Sequence, residues 1–201
     1  MHGAVPFEHH HPKGSEVTAD IVRDADHKMD SAVEFAREEF AAIRTGRAHP
    51  AMFSKIVVEY YGSPTPLQQL ASFQVPEART ILITPFDQGS LAATERAIRD
   101  SDLGVNPSND GHTIRCVLPV LTEERRKEYT KLAKAKAEEG RVAVRNTRRH
   151  ALDTIHKLVK DHDVSEDDAS RAEKQLDQVT KKHTDSVDEL LKHKEAELLE
   201  L

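Results

Sequence analysis

The chain of 201 residues has no tryptophan, one cysteine, only 4% aromatic residues and no long apolar run. A single cysteine, Cys116, excludes an internal disulfide framework and fits a reducing compartment. A membrane-spanning helix needs roughly 18 consecutive apolar residues, and no stretch approaches that length, so we expect no contact with a membrane. Because no basic N-terminal start precedes an apolar segment, the sequence predicts a cytoplasmic protein.

Charged residues are abundant in this sequence. Charged residues make up 32% and hydrophobic residues 37% of the chain, a composition typical of long solvated helices and not of a disordered chain. Residues 1–16 differ from the rest, because they hold four of the twelve histidines and two prolines without any periodicity. We interpret them as a non-structural leader or tag. The other histidines lack ligand spacing, so the sequence predicts no metal and no cofactor.

A long helix is predicted near the N-terminus. Apolar residues recur at spacings of three and four from Ile21 to Ile43, which predicts about seven helical turns starting at about Thr18. The helix is expected to end before Gly46 and Pro50, since glycine adopts the left-handed stop and proline cannot continue the hydrogen-bond ladder.

The middle of the chain changes to short, β-branched segments. Four of them predict strands, within residues 56–61, 70–75, 80–84 and 113–118. Residues 91–99 predict a short helix, and residues 62–66 predict a turn because they contain a glycine and two prolines. Residues 47–119 are therefore predicted to form a small, β-rich α/β domain.

Helical periodicity returns after Pro119. One helix is predicted to run to about His162 with Thr122 as its N-cap, and another to begin at Ser165, followed by three carboxylates that suit the positive end of the helix dipole. Three long amphipathic helices cannot bury their apolar stripes singly. The sequence thus predicts an α+β protein, an antiparallel three-helix bundle of residues 17–46 and 120–201 with the small domain inserted. The two connections are expected to lie side by side as a hinge.

Positive charge is concentrated on the first of the two C-terminal helices. Residues 122–160 contain twelve basic and six acidic residues, whereas residues 161–201 contain six basic and thirteen acidic ones. Arginine forks suit phosphate oxygens, and the scarcity of aromatics disfavours base stacking, so this helix predicts binding to nucleic-acid phosphate and shape. The alternative is a solvated face paired with the acidic helix beside it. The basic face consists of Lys127, Lys131, Lys134, Arg141, Arg145 and Arg148, with Arg149 at its edge.

Motifs for catalysis are missing. Gly89 and Gly111 lie in turns and not in a phosphate-binding loop. Cys116 lies in a strand pattern in which its neighbour Arg115 points to the opposite face, so the thiol is not activated. We therefore predict no catalytic residue and no enzyme. A helical protein-interaction module without an RNA role, and an enzyme that uses Cys116, are the alternatives.

Several motifs, in order along the chain, resemble the ribosome recycling factor family. They cover about Val17 to the C-terminus and leave residues 1–16 outside. Examples are IRTGRA at residues 43–48, VEYYG at residues 58–62, LTEERRK at residues 121–127, VAVRNTRR at residues 142–149 and KEAEL at residues 194–198.

This resemblance implies a fold, a function and a set of site residues. The fold is a three-helix bundle with a smaller β-rich domain in an L shape. The function is that of a monomeric translation factor that binds the post-termination ribosome and, with elongation factor G and GTP hydrolysis by that partner, splits it into subunits for reuse. The implied contacts with large-subunit ribosomal RNA are Arg145, Arg148 and Arg149, with Arg141 and Lys127 on the same face. The implied hinge consists of Thr45, Gly46, Arg47 and Ala48 on one connection and Pro119, Val120 and Leu121 on the other.

Overall fold

The computed structural model describes residues 13–200, so most of the predicted leader lies outside the described residues. The chain divides into two compact units. The first comprises Met1–Ala36 and Ala137–Glu189, and the second Arg37–Lys136 and Leu190–Leu201. The predicted inserted segment, residues 47–119, lies within the second unit, and its boundaries stay a prediction. Across residues 13–200, none of the helices combines the length and the apolar character needed to cross a bilayer.

Three long helices supply the first unit. They are α1 (Gly14–Ala41), α3 (Glu123–Lys160) and α4 (Glu166–Leu199), with the short α2 (Leu91–Arg99) between the first two in sequence. A Cβ atom placed on Gly14 would lie 3.5 Å from Val164, next to the start of α4, whereas one on Gly140 of α3 would lie 3.4 Å from both Ala36 and Val187. α1 and α4 are therefore parallel, and α3 is antiparallel to both. Because these helices accompany a small antiparallel sheet, the predicted α+β class with a three-helix bundle is confirmed.

The apolar stripes pack in this unit as the spacing predicts. Ala25, Met29, Val144, Ala151 and Leu176 form one buried cluster that joins all three helices. Each fully buried aliphatic side chain contributes roughly 1.5–3 kcal/mol of transfer free energy, so the stripes are the main source of bundle stability.

The helix ends are capped largely as predicted. The Thr122 hydroxyl accepts the Arg125 N–H at 3.1 Å, and the Ser165 hydroxyl accepts the Asp168 N–H at 3.1 Å. The prediction that structure starts at about Thr18 is wrong, because α1 begins at Gly14. The hydrophobic pattern misses this start because Gly14, Ser15 and Glu16 carry no apolar side chain.

The second unit contains a two-stranded and a four-stranded antiparallel sheet. Strands β1 (Val57–Tyr60) and β2 (Ser63–Pro66) form a hairpin. The larger sheet has the order β3-β4-β6-β5. Its strands are β3 (Ala71–Glu77), β4 (Thr80–Pro85), β5 (Ser108–Asn109) and β6 (Ile114–Val117).

The core of this second unit lies between the sheet strands and α2. Its completely buried members include Phe53, Ile81, Ile83, Ile98 and Ile114, and every buried residue of this cluster falls between residues 48 and 118. Ile81 and Ile83 alternate with half-buried Leu82 and Thr84 along β4, the period of two expected of a strand with one buried face.

Two strands differ from the sequence prediction. Residues 62–66 were expected to be a turn, but Ser63–Pro66 forms β2, paired to β1 in the register Glu59 with Pro64 and Val57 with Pro66. Proline is tolerated there because β2 is paired on one side only and does not have to donate to a second neighbour. The two-residue strand β5 lies outside the four segments that the sequence predicts as strands.

Candidate nucleic-acid interface

The predicted basic face lies on α3, and the buried residues of that helix determine where each arginine points. In the first unit, α3 buries Gly140, Val144, Ala151 and Ile155. At 100° per residue, Arg148 continues this buried row between Val144 and Ala151, so its side chain lies at the edge of the helix packing. Arg148 is 37% exposed. The position brings its guanidinium within reach of α4.

Arg148 pairs with Asp177 of α4. One Asp177 carboxylate oxygen, Oδ1, lies 2.7 Å from Arg148 Nη2 and accepts a hydrogen bond from Nε at 2.9 Å. The second carboxylate oxygen is not engaged by this fork. Asp177 is 59% exposed, and surface ion pairs of this kind contribute about 0–1 kcal/mol. Water and competing anions therefore have access to the pair.

Arg141 is held more tightly, two helical turns earlier. It donates to Asp188 Oδ1 on α4 at 2.7 Å and to Glu138 Oε2 on its own helix at 3.1 Å. Partial burial acts to lower the pKa of Arg141, but the hydrogen bonds to Asp188 and Glu138 outweigh it and raise the pKa above its ordinary value. With its side chain 21% exposed, Arg141 mainly ties α3 to α4.

Arg145 and Arg149 are the open members of the cluster. Arg145 is 58% exposed, and its single ion pair, to Glu138, is long at 3.5 Å. Arg149 is exposed and makes no ion pair with any of residues 13–200. These two side chains lie on the outer side of α3, away from the buried row, and offer their donors to solvent.

The structure thus divides the arginine cluster, which we define as Arg141, Arg145, Arg148 and Arg149. Two members are paired across to α4, as the alternative of a solvated paired face expects, and two are directed outward. Four arginines share three carboxylates, Glu138, Asp177 and Asp188, so the cluster keeps a positive balance. Such a patch can attract a phosphate backbone. The attraction is weaker than it would be if all twelve basic residues of residues 122–160 were unpaired.

The carboxylate partners were not identified from sequence. They follow the antiparallel register of α3 and α4, in which each step forward on α3 is matched by a step back on α4. Arg141 meets Asp188, Arg148 meets Asp177, and His156 meets Glu173 at 2.6 Å. The short connection after Lys160 constrains this register, so the loop length is the signal that could have located the pairs.

Lys127 lies on the part of α3 that belongs to the second unit. Its ammonium group is 3.5 Å from the carboxylate of Glu123 one turn earlier, and both side chains are more than three-quarters exposed. It is therefore a solvent-accessible cation whose helical pair contributes little.

The two predicted connections meet in the second unit. A Cβ atom on Gly46 would lie 3.4 Å from Leu121 Cγ, and Gly46 has a φ of +74° that favours glycine. The Ala48 N–H donates to the Ala78 carbonyl at 2.7 Å, and the Leu118 N–H donates to the Arg79 carbonyl at 2.7 Å. Both connections are thus anchored to the tight turn between β3 and β4, a shared anchor that sequence analysis did not identify.

The remaining members of these connections differ in their surroundings. Thr45 and Ala48 are buried, whereas Arg47, Pro119 and Val120 are exposed. The Thr45 hydroxyl accepts the Arg47 N–H at 3.4 Å, a long hydrogen bond. The first connection is therefore packed at Thr45 and Ala48, whereas Pro119 and Val120 leave most of the second connection open to solvent.

A separate cluster of titratable groups joins α4 to α1. His183 of α4 is 2% exposed, with Nε2 2.6 Å from Asp26 and Nδ1 3.5 Å from Asp30, both on α1. Sequence spacing gives His183 no partner, because the two aspartates are more than 150 residues away. An interhelical hydrogen bond accounts for this arrangement.

Cys116 lies where the strand pattern predicts. It is completely buried on β6 opposite Ile81, while Arg115 is exposed on the other face. Burial, with a smaller effect of the Glu95 charge, raises the pKa of the Cys116 thiol to about 11. A thiol that stays protonated at neutral pH is a poor nucleophile.

Several proteins of known identity are similar in sequence to this chain. A sequence model described as ribosome recycling factor matches residues 36–199. The ribosome-recycling factor of Cutibacterium acnes is 69% identical over 183 residues, which cover 91% of this chain and 100% of the relative. That of Streptomyces coelicolor is 64% identical over 178 residues, 89% of this chain and 96% of the relative.

Solved structures match the fold as well. A solution structure of a ribosome recycling factor has a TM-score of 0.75 and 42% identity, and covers 92% of this chain and 98% of that one. A second match, with a TM-score of 0.67 and 43% identity over 91% of this chain and 99% of that one, is the T. thermophilus ribosome recycling factor, described with E. coli elongation factor G on the E. coli post-termination complex.

Proposed function

The chain belongs to the ribosome recycling factor family, and we propose that it uses the arginine cluster of α3 to bind large-subunit ribosomal RNA. It is a translation factor that binds the post-termination ribosome and, with elongation factor G, promotes dissociation into subunits for a new round of protein synthesis. It does so in the cytoplasm, as a monomer, and without a catalytic residue of its own, since GTP hydrolysis belongs to the partner.

One observation supports the RNA contact above the others. Arg145 and Arg149 point outward from a helix whose inner arginines are already fixed against α4. A rigid helix that presents cations at a spacing of four residues places them about 6 Å apart along its axis. That distance is close to the separation of neighbouring phosphates along an RNA strand, so adjacent phosphates can each meet one arginine.

The ion pair of Arg148 and Asp177 tunes this contact. A phosphate accepts two parallel hydrogen bonds from a guanidinium group through two different oxygens, whereas Asp177 accepts both through one oxygen. Because Asp177 is exposed and engages the fork through a single oxygen, RNA can displace it at a small free-energy cost. Arg148 is thus positioned before binding and released on contact.

The hinge residues are the second part of the proposal. Thr45, Gly46, Arg47 and Ala48, and Pro119, Val120 and Leu121, are the segments through which the residues 47–119 turn relative to the bundle when elongation factor G acts. Their support is the left-handed backbone of Gly46, a conformation that favours glycine, and the closeness of Gly46 to Leu121, which brings the two connections side by side.

Co-sedimentation with post-termination ribosomes across a salt series tests the RNA contact. Replacement of Arg145 and Arg149 together by glutamine should weaken binding and lower the slope of log K against log salt by about two, one for each lost phosphate contact. Replacement of Lys181 and Lys182 of α4 by glutamine is the matched control, because it removes equal charge from the acidic helix. Equal losses for the two double variants would contradict the proposal.

Subunit splitting measured by light scattering, with elongation factor G and GTP present, tests the function itself. Wild-type protein should lower the scattering, whereas the Arg145 and Arg149 double variant should need a higher concentration to reach the same rate. If wild-type protein bound ribosomes without splitting them, the family function would not hold for this chain.

A further inference from the structure

A cavity of about 400 Å³ lies beside the two connections within the second unit. It is lined by residues of both connections, by the turn between β3 and β4, and by the first turns of α3. Its charged lining consists of Arg47, Arg79, Arg126 and Glu200. Three guanidinium groups thus share one cavity with one carboxylate, in a chain whose net charge is −6.

Arg126 is the unusual member of this lining. Its Nε atom is buried and has no hydrogen-bond partner, one of only two such buried side-chain atoms among residues 13–200. The guanidinium group as a whole makes no ion pair with any of those residues. A buried donor of a charged group that is left unpaired is costly to the fold, and in native proteins such a donor is normally matched by an acceptor.

The neighbouring cations have little internal compensation. Arg79 is exposed on the turn between β3 and β4 and has no ion pair within the described part of the chain. Arg47 is bound to Glu200 at 3.3 Å, with both side chains more than half exposed, so this pair is weak and replaceable. Among residues 13–200 the cavity is therefore short of negative charge, and those residues supply no acceptor to the Arg126 Nε.

We propose that this cavity is a binding site for a phosphate group, held by the guanidinium groups of Arg126 and Arg79 with Arg47 as a third donor. Phosphate supplies several acceptor oxygens in a geometry that matches the arginine fork, and its charge offsets the surplus of the lining. The phosphate belongs either to the free ion or to a nucleic-acid strand. The site is separate from the arginine cluster, which lies in the first unit.

The test uses the full chain and inorganic phosphate at constant ionic strength, with chloride as the balancing anion. In ¹H–¹⁵N spectra, the Nε–H resonance of Arg126 should shift in a saturable way, with a Kd on the order of 1 mM for a site of two or three charge-assisted hydrogen bonds. Arg126→Gln and Arg79→Gln should each weaken phosphate binding by about tenfold, followed on the remaining resonances that shift. Arg79→Gln guards against a folding defect, because Arg79 is exposed.

Arg125→Gln is the matched control. Arg125 is the sequence neighbour of Arg126, is 65% exposed, pairs with Glu128 at 3.5 Å and does not line the cavity. It should bind phosphate as the wild type does. Absence of saturable phosphate binding to the wild type would overturn the proposal, and so would an equal loss in Arg125→Gln and Arg126→Gln.

A second experiment, ribosome binding across a salt series, identifies the source of the phosphate. If a ribosomal RNA phosphate occupies the cavity, Arg126→Gln should also lower the salt slope of ribosome binding by about one. If the free ion is the ligand, that slope should be unchanged while the phosphate affinity still falls. Because the phosphate titration contains no ribosome, its result does not depend on the arginine cluster or on the recycling function.

Discussion

Arg148 and Asp177 permit a prediction with opposite signs for the two partners of one ion pair. A hydrogen bond between charged groups contributes about 1.5–3 kcal/mol, and the exposed pair with Asp177 that RNA must displace contributes about 0–1 kcal/mol. The Arg148→Ala change should therefore cost about 1–2 kcal/mol of ribosome affinity, a factor of about 5 to 30 in Kd. Asp177→Asn should tighten binding by up to about fivefold, since Arg148 is then free to bind phosphate.

Neither change should unfold the bundle. Arg148 is 37% and Asp177 59% exposed, so losing their pair should lower stability by less than about 1 kcal/mol. For a protein of this size that corresponds to a fall in Tm of no more than about 4 °C. Calorimetry on the isolated protein, alongside co-sedimentation with ribosomes at several salt concentrations, separates the two effects.

A control with the same chemistry lies on α4. Arg171 pairs with Asp168 at 3.2 Å and is 73% exposed, but it sits on the acidic helix, so Arg171→Ala should leave ribosome affinity unchanged. Equal weakening of binding by Arg148→Ala and Arg171→Ala would contradict a phosphate contact at Arg148. Weaker binding of Asp177→Asn would contradict it too, because the carboxylate would then aid the contact and not compete with phosphate.

Three further outcomes follow from the second unit. Gly46→Val should destabilise the protein by about 1–2 kcal/mol in a thermal melt and slow subunit splitting, since a β-branched residue resists the left-handed conformation. Gly62 also has a positive φ, with no atoms near its added Cβ, so Gly62→Val should lower stability but leave the rate of subunit splitting unchanged. Ile81→Ala should cost about 2–5 kcal/mol by urea unfolding, because Ile81 is completely buried; a cost below 1 kcal/mol would contradict the core assignment. Iodoacetamide at pH 8 should alkylate Cys116 only after unfolding, because the pKa of the native thiol is about 11 and thiolate forms only as the pH rises towards that value; rapid native labelling, by mass spectrometry, would refute its burial.

Local sequence patterns predicted much of the fold because helix and strand periods depend on which face is buried. The bounds of α2, Leu91–Arg99, and the caps Thr122 and Ser165 were located from sequence alone. The failures have local causes too. β2 contains two prolines, which favour a turn over a strand. They are compatible with a strand only because β2 pairs with a single neighbour, and residues 63–66 alone do not reveal that pairing.

The chemistry of the arginine cluster was partly predictable. Residue types and helical spacing show that α3 carries a line of cations, since both depend on one helix. Which cations are free depends on a second helix. Arg141 and Arg148 are occupied by Asp188 and Asp177 of α4, whereas Arg145 and Arg149 turn outward.

By itself, the sequence determined the family, the three long helices, the small β-rich segment and the concentration of positive charge on α3, because each of these is written in residue order or in short-range periodicity. Only the tertiary structure decided which arginines are already paired, that both connections are fastened to the turn at Ala78 and Arg79, and that Arg126 borders a cavity with an unpaired Nε. These features join residues tens of positions apart. Ion pairs and hydrogen bonds act over about 3 Å, so they exist only once packing has brought such residues together.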